Sequence, residues 1–361
     1  MSIFRLKPDP VVGIDIGSTA VKLLELSQVG EKFQVESYAM EPLPENSIED
    51  KDINEIEAVA AAISSVVKRA KPRSQYAAVA VAGRNVITKI ITMNDGLSDN
   101  EIQEQIEADP ASYIGQDIED IEFDFQMIGP NDKEQDRVDY LLAACRIETR
   151  ELRTNVIELG GLKEKVVDIE KYALENAFMM VAETDPDIDE TDTIALVEIG
   201  ATTTSVSVLG DQKIVYTNEQ IFGSKQLIER VQSHYEFSYE EADKAIRNGG
   251  LVSDENPLPD YETEILDPFK EETVDQINLM IKHYNAHSSY GKLSQILIAG
   301  GCAPIPGLVE DINAKMGGHI TIVNPLSSMS YAPRVSQKAL MRDAPALMIA
   351  CGLALRTFDK Y

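Results

Sequence analysis

The chain is poor in cysteine, poor in positive charge and without a long apolar run. Only three of its 361 residues are cysteines, Cys145, Cys302 and Cys351, and no C-x-x-C occurs. So sparse and odd a set excludes a disulfide framework and reads as reduced thiols of a cytosolic protein. Among four histidines, His283 and His287 form an i, i+4 pair, but no third ligand stands at zinc spacing. Lys and Arg number 33 against 61 Asp and Glu, a net charge of −28. Such a surface repels phosphodiester backbones and anionic lipid headgroups, which excludes a broad nucleic-acid face. A local nucleotide site stays open, because Mg²⁺ can bridge acid to phosphate. The apolar stretch at 344–355 is too short to span ~30 Å of hydrocarbon as a helix. The opening MSIFRLKPDP has no apolar core of a signal peptide, so any membrane role is expected to go through a partner. Two nucleotide motifs are also missing. Gly291-Lys292 is followed by Leu293, so there is no P-loop, and no G-x-G-x-x-G opens a helix after a strand.

What remains is a globular composition, 43% apolar and 26% charged, long enough for two large domains. Residues 11–26, VVGIDIGSTAVKLLEL, read as two apolar strands around a tight Gly-Ser-Thr turn. Ile56, Val59, Ile63, Val66, Val67 and Ala70 fall on one helical face, and 77–83 reads as a buried strand. Residues 87–161 look like a separate unit of strand, helix, strand, helix, with Ser98 and Glu101 as a capping box. Its acids Asp117, Glu119, Asp120, Glu122 and Asp124 suit a solvated strand face. A short strand and helix follow from 166. The acidic 183–192, ETDPDIDETD, marks a domain boundary. Helical pattern then runs over 223–247, loop over 249–264, helix over 266–287, an apolar strand over 295–299 and a closing helix over 344–356.

The informative observation is a repeat. At an offset of 183 residues Asp15 matches Glu198, Ile16 Ile199, Gly17 Gly200, Thr19 Thr202, Leu23 Val206 and Leu26 Leu209. A hairpin that occurs once per half implies two related domains facing each other across a cleft. A tight turn points successive N–H groups at one spot, and small residues let an anion approach. The turn Gly17, Ser18, Thr19 adds two hydroxyl donors, and Lys22 adds a charge. The turn Gly200, Ala201, Thr202, Thr203, Thr204 adds hydroxyls from the other side. Two such turns would clamp a di- or triphosphate, with Asp15 and Glu198 placed for Mg²⁺. Gly300 and Gly301 after QILIA would let a base or sugar approach the backbone.

These segments, in this order, resemble the actin, hexokinase and heat-shock-chaperone ATPase superfamily. VVGIDIGSTAVKLLELS, YLLAACR, VVDIEKYALENAF, VEIGATTTSVSVL, QIFGSKQL, ILIAGGCAPIPGL and DAPALMIACGLALRTFD further resemble the PilM family of type IV pilus assembly. The resemblance implies an α/β, actin-like ATPase fold. Two duplicated domains would face a nucleotide cleft, with an inserted subdomain placed as in the cell-division actin homologue. It implies subdomain 1A at 1–86, 162–190 and 341–361, an inserted 1C at 87–161, 2A at 191–225 and 291–340, and 2B at 226–290. It implies ATP and Mg²⁺ as ligands, and adds Gly223, Lys225 and Ala303 to the nucleotide contacts. It implies a cytoplasmic scaffold held at the inner membrane by the cytoplasmic N-terminal segment of PilN, and contact with the pilus motor ATPases. Glu170 stands where the superfamily keeps a water-orienting residue, and equally suits a helix N-terminus as an acid favoured by the dipole. Glu198 replaces the usual Asp, so ATP binding with at most slow hydrolysis is expected. The insertion with the adjoining first domain is the expected docking groove for the partner peptide. Two alternatives stay open: a sugar or carboxylate kinase, for which no acceptor base is evident, and a filament-forming division protein, whose amphipathic tail is not seen before Tyr361.

Overall fold

A computed structural model describes residues 10–30, 32–83, 86–115, 120–189, 192–210, 213–253, 256–288 and 290–359. The first half opens with β1 (Val11–Ile16), β2 (Ala20–Val29) and β3 (Lys32–Pro42) as an antiparallel meander. A two-residue turn joins the short strands β4 (Ile48–Glu49) and β5 (Asp52–Ile53), and α1 (Ile56–Ala70) and β6 (Tyr76–Val81) follow. The α1 face drawn from spacing is largely the packed one, with Val59, Ile63, Val66 and Ala70 buried. β7 (Val86–Asn94), α2 (Asp99–Ala108), α3 (Pro110–Tyr113), β8 (Ile121–Pro130) and β9 (Arg137–Arg146) come next, then α4 (Ile147–Leu159), β10 (Lys163–Ile169) and α5 (Glu170–Thr184). The second half runs β11 (Ile194–Ile199), β12 (Thr204–Gly210), β13 (Lys213–Gln220), α6 (Ser224–Tyr235) and α7 (Tyr239–Arg247). It continues with β14 (Leu251–Ser253), β15 (Asn256–Pro257), α8 (Asp267–His287), β16 (Gln295–Ala299), α9 (Leu308–Met316) and β17 (Ile320–Ile322). β18 (Ser330–Tyr331), α10 (Gln337–Asp343) and α11 (Met348–Leu355) close the chain.

The repeat seen in the hairpins extends to whole sheets. The first sheet has the order β10-β6-β1-β2-β3-β18, the second β17-β16-β11-β12-β13 when read in the same direction. In both, the central strand pairs antiparallel with the next strand in sequence and parallel with a later one. Helices α5 and α11 pack between the sheets. There Gly352 sits so close to α5 that a Cβ would lie 1.7 Å from the Ala173 carbonyl oxygen, so only glycine allows that approach.

Matching the two halves corrects the sequence reading in four places. The helix at 147–159 was expected within the insertion. Instead its Val156 and Ile157 join Ile63 and Val66 in the core under the first sheet, where α4 takes the place α9 has in the second half. The inserted unit proper is therefore the sheet β7-β9-β8 with α2 and α3, closed around Met93, Ile102, Ile106, Tyr140 and Leu142. The single helical pattern over 223–247 is two helices, because Glu236 turns left-handed (φ 57°) and Ser238 opens α7 with a capping box. The stretch 249–264 is not all loop: it holds β14 and β15 and begins a π-helical turn, Tyr261–Leu266, that leads into α8. Finally, β18 leaves the second half to pair with β3, and Arg334 donates to the Glu36 and Lys71 carbonyls of the first half. The Ser98–Glu101 box forms, and Glu122 and Asp124 are exposed on β8; Asp117 and Glu119 lie outside the described residues.

Candidate functional site

Both hairpins make the same turn. Gly17 donates its N–H to the Ala20 carbonyl at 3.1 Å, and Gly200 to that of Thr203 at 2.9 Å. Strand pairing stops at Ile16–Val21 and at Ile199–Thr204, which leaves the N–H groups of Ser18, Thr19, Ala201 and Thr202 outside the ladders. The turns face each other: the Ser18 and Thr202 hydroxyl oxygens are 3.2 Å apart. They line a cleft of about 1030 Å³ together with Asp15, Lys22, Lys51, Glu170, Glu198, Gly300 and Gly301.

Four expected contacts lie behind the cleft rather than in it. Thr204 is fully buried and donates its hydroxyl to the Phe222 carbonyl at 2.8 Å. Gly223 lies where a Cβ would be 2.4 Å from the Gly200 carbonyl oxygen, so its role is close approach. The next two N–H groups dock the start of α6 onto the turn, Ser224 to the Gly200 carbonyl and Lys225 to that of Ala201. Ala303 is buried beneath the surface that Gly301 and Cys302 present. These residues shape the second turn from beneath. Gly300 also shapes it: its φ is +91° and a Cβ would sit 2.2 Å from the Ile199 carbonyl oxygen.

The floor of the cleft is a charge cluster. Lys22 donates to Asp15 at 2.7 Å, cross-strand on the first hairpin. Burial pulls the Lys22 ammonium down, but the Asp15 carboxylate, with Glu198 and Glu170, holds it above its ordinary value. At the equivalent position Glu198 faces Ser205 instead. Burial first, then repulsion from Glu170, pushes the Glu198 carboxyl up to about 7, against the opposing pull of Lys22. Glu170, at the first turn of α5, is ion-paired with Lys51 at 2.6 Å. Lys51 and Arg153 went unmarked in the sequence. Arg153 is 3% exposed and donates to the Lys51 carbonyl at 2.6 Å. On the α6–α7 side Ile228, Ile246, Arg247 and Ile305 extend the lining, a partly apolar wall that no motif announced.

With this geometry in hand, the comparisons decide the family. The profile of the family described as type IV pilus assembly protein PilM matches residues 13–358. The chain belongs to the PilM family. Among solved structures it is similar to the "PilM-PilN type IV pilus biogenesis complex", with 22% identity, a TM-score of 0.76, and 97% of this chain and 99% of that chain covered. It is also similar to the ethanolamine utilization protein EutJ from Carboxydothermus hydrogenoformans, at 14% identity and TM-score 0.52 over 98% and 91% of the two chains. The expected actin-like architecture therefore stands, and with the family goes a part in type IV pilus assembly. No helix among the described residues is long and apolar enough to cross a membrane.

Proposed function

We propose that this chain is a cytoplasmic ATP-binding scaffold of the pilus inner-membrane assembly complex, docking the cytoplasmic N-terminal segment of PilN. The observation that carries the nucleotide half is the face-to-face pair of turns, with Ser18 and Thr202 3.2 Å apart at their closest. The donor set suits a Mg²⁺-bound polyphosphate. Small turn residues and hydroxyls face the phosphates, and Lys22 supplies charge. Asp15 and Glu198 offer oxygen to a cation that keeps its waters. Among the described residues no cluster of three or more His, Cys, Asp or Glu could hold a metal alone, so the cation would arrive with the phosphates. Such an ion would screen the new phosphate charge from the carboxylates. The Ile228, Ile246 and Ile305 wall suits a flat base next to Gly301. Slow turnover goes with this reading, because Glu198 is one methylene longer than the Asp usual at that place and so shifts its carboxylate away from aligned chemistry.

The test is a thermal-shift titration of nucleotide-free protein. A ligand at 100 times its Kd stabilises the native state by ~2.7 kcal/mol. An unchanged melting temperature in millimolar Mg–ATP would remove the nucleotide reading.

The docking half rests on the inserted sheet. One face is covered by α2 and α3. The other carries Thr88, Ile90, Leu141 and Ala143 in neighbouring cross-strand positions, with Ile90 61% exposed. The acids Glu122 and Asp124 flank it on β8. A helix edge stands close by, since the Tyr172 side chain of α5 lies near Thr88. An apolar strip between sheet and helix with acids at its rim fits an extended, basic segment with apolar anchors. The solved family complex named for PilM and PilN supports that occupant. Pull-down with a peptide of that segment should fail for Ile90→Asp. Undiminished capture by that variant would place the partner elsewhere.

A further inference from the structure

The hairpin β4–β5 occupies a telling place in the duplicated plan. In the second half the chain between β13 and α8 builds α6 and α7, one wall of the cleft. In the first half the matching link, between β3 and α1, is only residues 43–55, and β4–β5 is what it builds. Its turn residues Asp50 and Lys51 both have positive φ, 47° and 69°. A two-residue turn with both centres left-handed is normally the province of Asn-Gly or Gly-Gly. Neither residue here is glycine, so the backbone is held in a conformation it disfavours, and the surroundings must enforce it. Buried Arg153 does so by donating to the Lys51 carbonyl at 2.6 Å. The result is that the Lys51 ammonium is aimed into the cleft.

There it bridges the two halves. It is 2.6 Å from Glu170 in the first and 3.7 Å from Glu219, on β13, in the second. Of the other cations lining the cleft, Lys171 is exposed, with its ammonium by the Tyr172 ring, and three hold local ion pairs. Lys22 is committed to its cross-strand partner Asp15, and Arg247 and Arg342 pair with Asp243 and Asp343 on their own helices. Arg153 spends its reach on the hairpin backbone. Lys51, whose side chain is 25% exposed, is the cation placed over the carboxylates Glu170 and Glu219 on the side of the cleft opposite α6.

We propose that Lys51 is a specificity-determining residue that contacts the terminal phosphate of a bound nucleoside triphosphate and makes the cleft prefer it to the diphosphate. The inference rests on the nucleotide reading above and deepens it. A terminal phosphate brought near Glu170 and Glu219 adds negative charge to negative charge. A lysine already held there can turn from carboxylate to phosphate without reordering its backbone, which favours the longer ligand by pre-organisation. Because the same ammonium also faces Glu219, gaining or losing that phosphate changes the link between the two halves.

The experiment measures Mg–ATP and Mg–ADP affinities by titration calorimetry on the nucleotide-free full chain, for wild type, Lys51→Met and Lys51→Arg. Loss of one charge-assisted contact should weaken Mg–ATP binding of Lys51→Met by about tenfold and leave Mg–ADP within about twofold. Lys51→Arg keeps the charge and should restore most of the preference. As a second readout, hydrogen exchange across 48–53 should slow with Mg–ATP and not with Mg–ADP in the wild type. Equal weakening of both nucleotides, or an unchanged ratio in Lys51→Met, overturns the assignment while leaving the nucleotide site standing. A wild type that binds neither nucleotide overturns the site itself, and this assignment with it.

Discussion

The two hairpins share one backbone and differ in their charges. Asp15 has Lys22 across the ladder, whereas Glu198 has Ser205. The first carboxylate is therefore neutralised locally at 2.7 Å. Among the described residues the second has no ion-pair partner within bonding reach, and its carboxyl is pushed up to about 7. Duplication preserved the turn geometry that leaves N–H groups outside each ladder. It left the charge of each turn free to change, so one side now holds a fixed pair and the other a carboxyl that charges only reluctantly. A second contrast lies behind the turns. Pairing of β1 with β6 and of β11 with β16 matches Tyr76 to Gln295, so Val81 in the first half corresponds to Gly300 in the second. The second half alone needs glycine there, because its backbone closes on the Ile199 carbonyl.

Giving the second half the first half's residue is the harshest way to break that comparison. Gly300→Val meets backbone 2.2 Å from the new Cβ at a φ of +91°. Overpacking and backbone strain together should cost on the order of 4 kcal/mol, read as a lowered denaturant midpoint. Asp15→Asn comes next. It leaves the Lys22 ammonium buried without its counter-charge, a loss of about 3 kcal/mol by the same measurement.

Glu198→Gln sharpens the contrast, because the sign reverses. A folded-state carboxyl raised from 4.5 to about 7 binds a proton more tightly than the unfolded chain does. Stability of the nucleotide-free protein therefore falls as pH climbs from 4.5 through about 7, and is flat above. Glu198→Gln should abolish that slope and gain on the order of 1 kcal/mol at the upper end, where wild type carries the charge. A variant less stable than wild type at high pH would mean that Glu198 is satisfied as an ion after all. The smallest expected change is Thr204→Val, which leaves the buried Phe222 carbonyl without its donor and costs about 1 kcal/mol. Thr204 lies behind the turn, so Mg–ATP affinity should not move.

The duplication, both turns and the carboxylates beneath them were legible because tight turns restrict residue type sharply and the same restriction appears twice. The helix α4 was not assignable to a core from sequence, since the spacing of Leu152, Val156 and Ile157 serves any apolar neighbour equally well. Gly223, Lys225 and Ala303 entered the contact set through the resemblance. Sequence order does not tell a residue that touches a ligand from one whose backbone props up the turn that does. Lys51 was missed for a different reason. Asp-Lys carries no signature of a left-handed turn, and its buried anchor Arg153 reads in sequence as one more charge on an exposed helix face.

The central claim is that both turns, one from each half, hold a single nucleotide. Hydrogen exchange of the nucleotide-free full chain with and without saturating Mg–ATP tests it most directly. Peptides spanning 17–20 and 200–203 should both slow, to the same nucleotide concentration dependence, as N–H groups outside the ladders acquire phosphate acceptors. Protection of one turn alone, or of neither while the chain demonstrably binds nucleotide, would contradict a site shared between the halves.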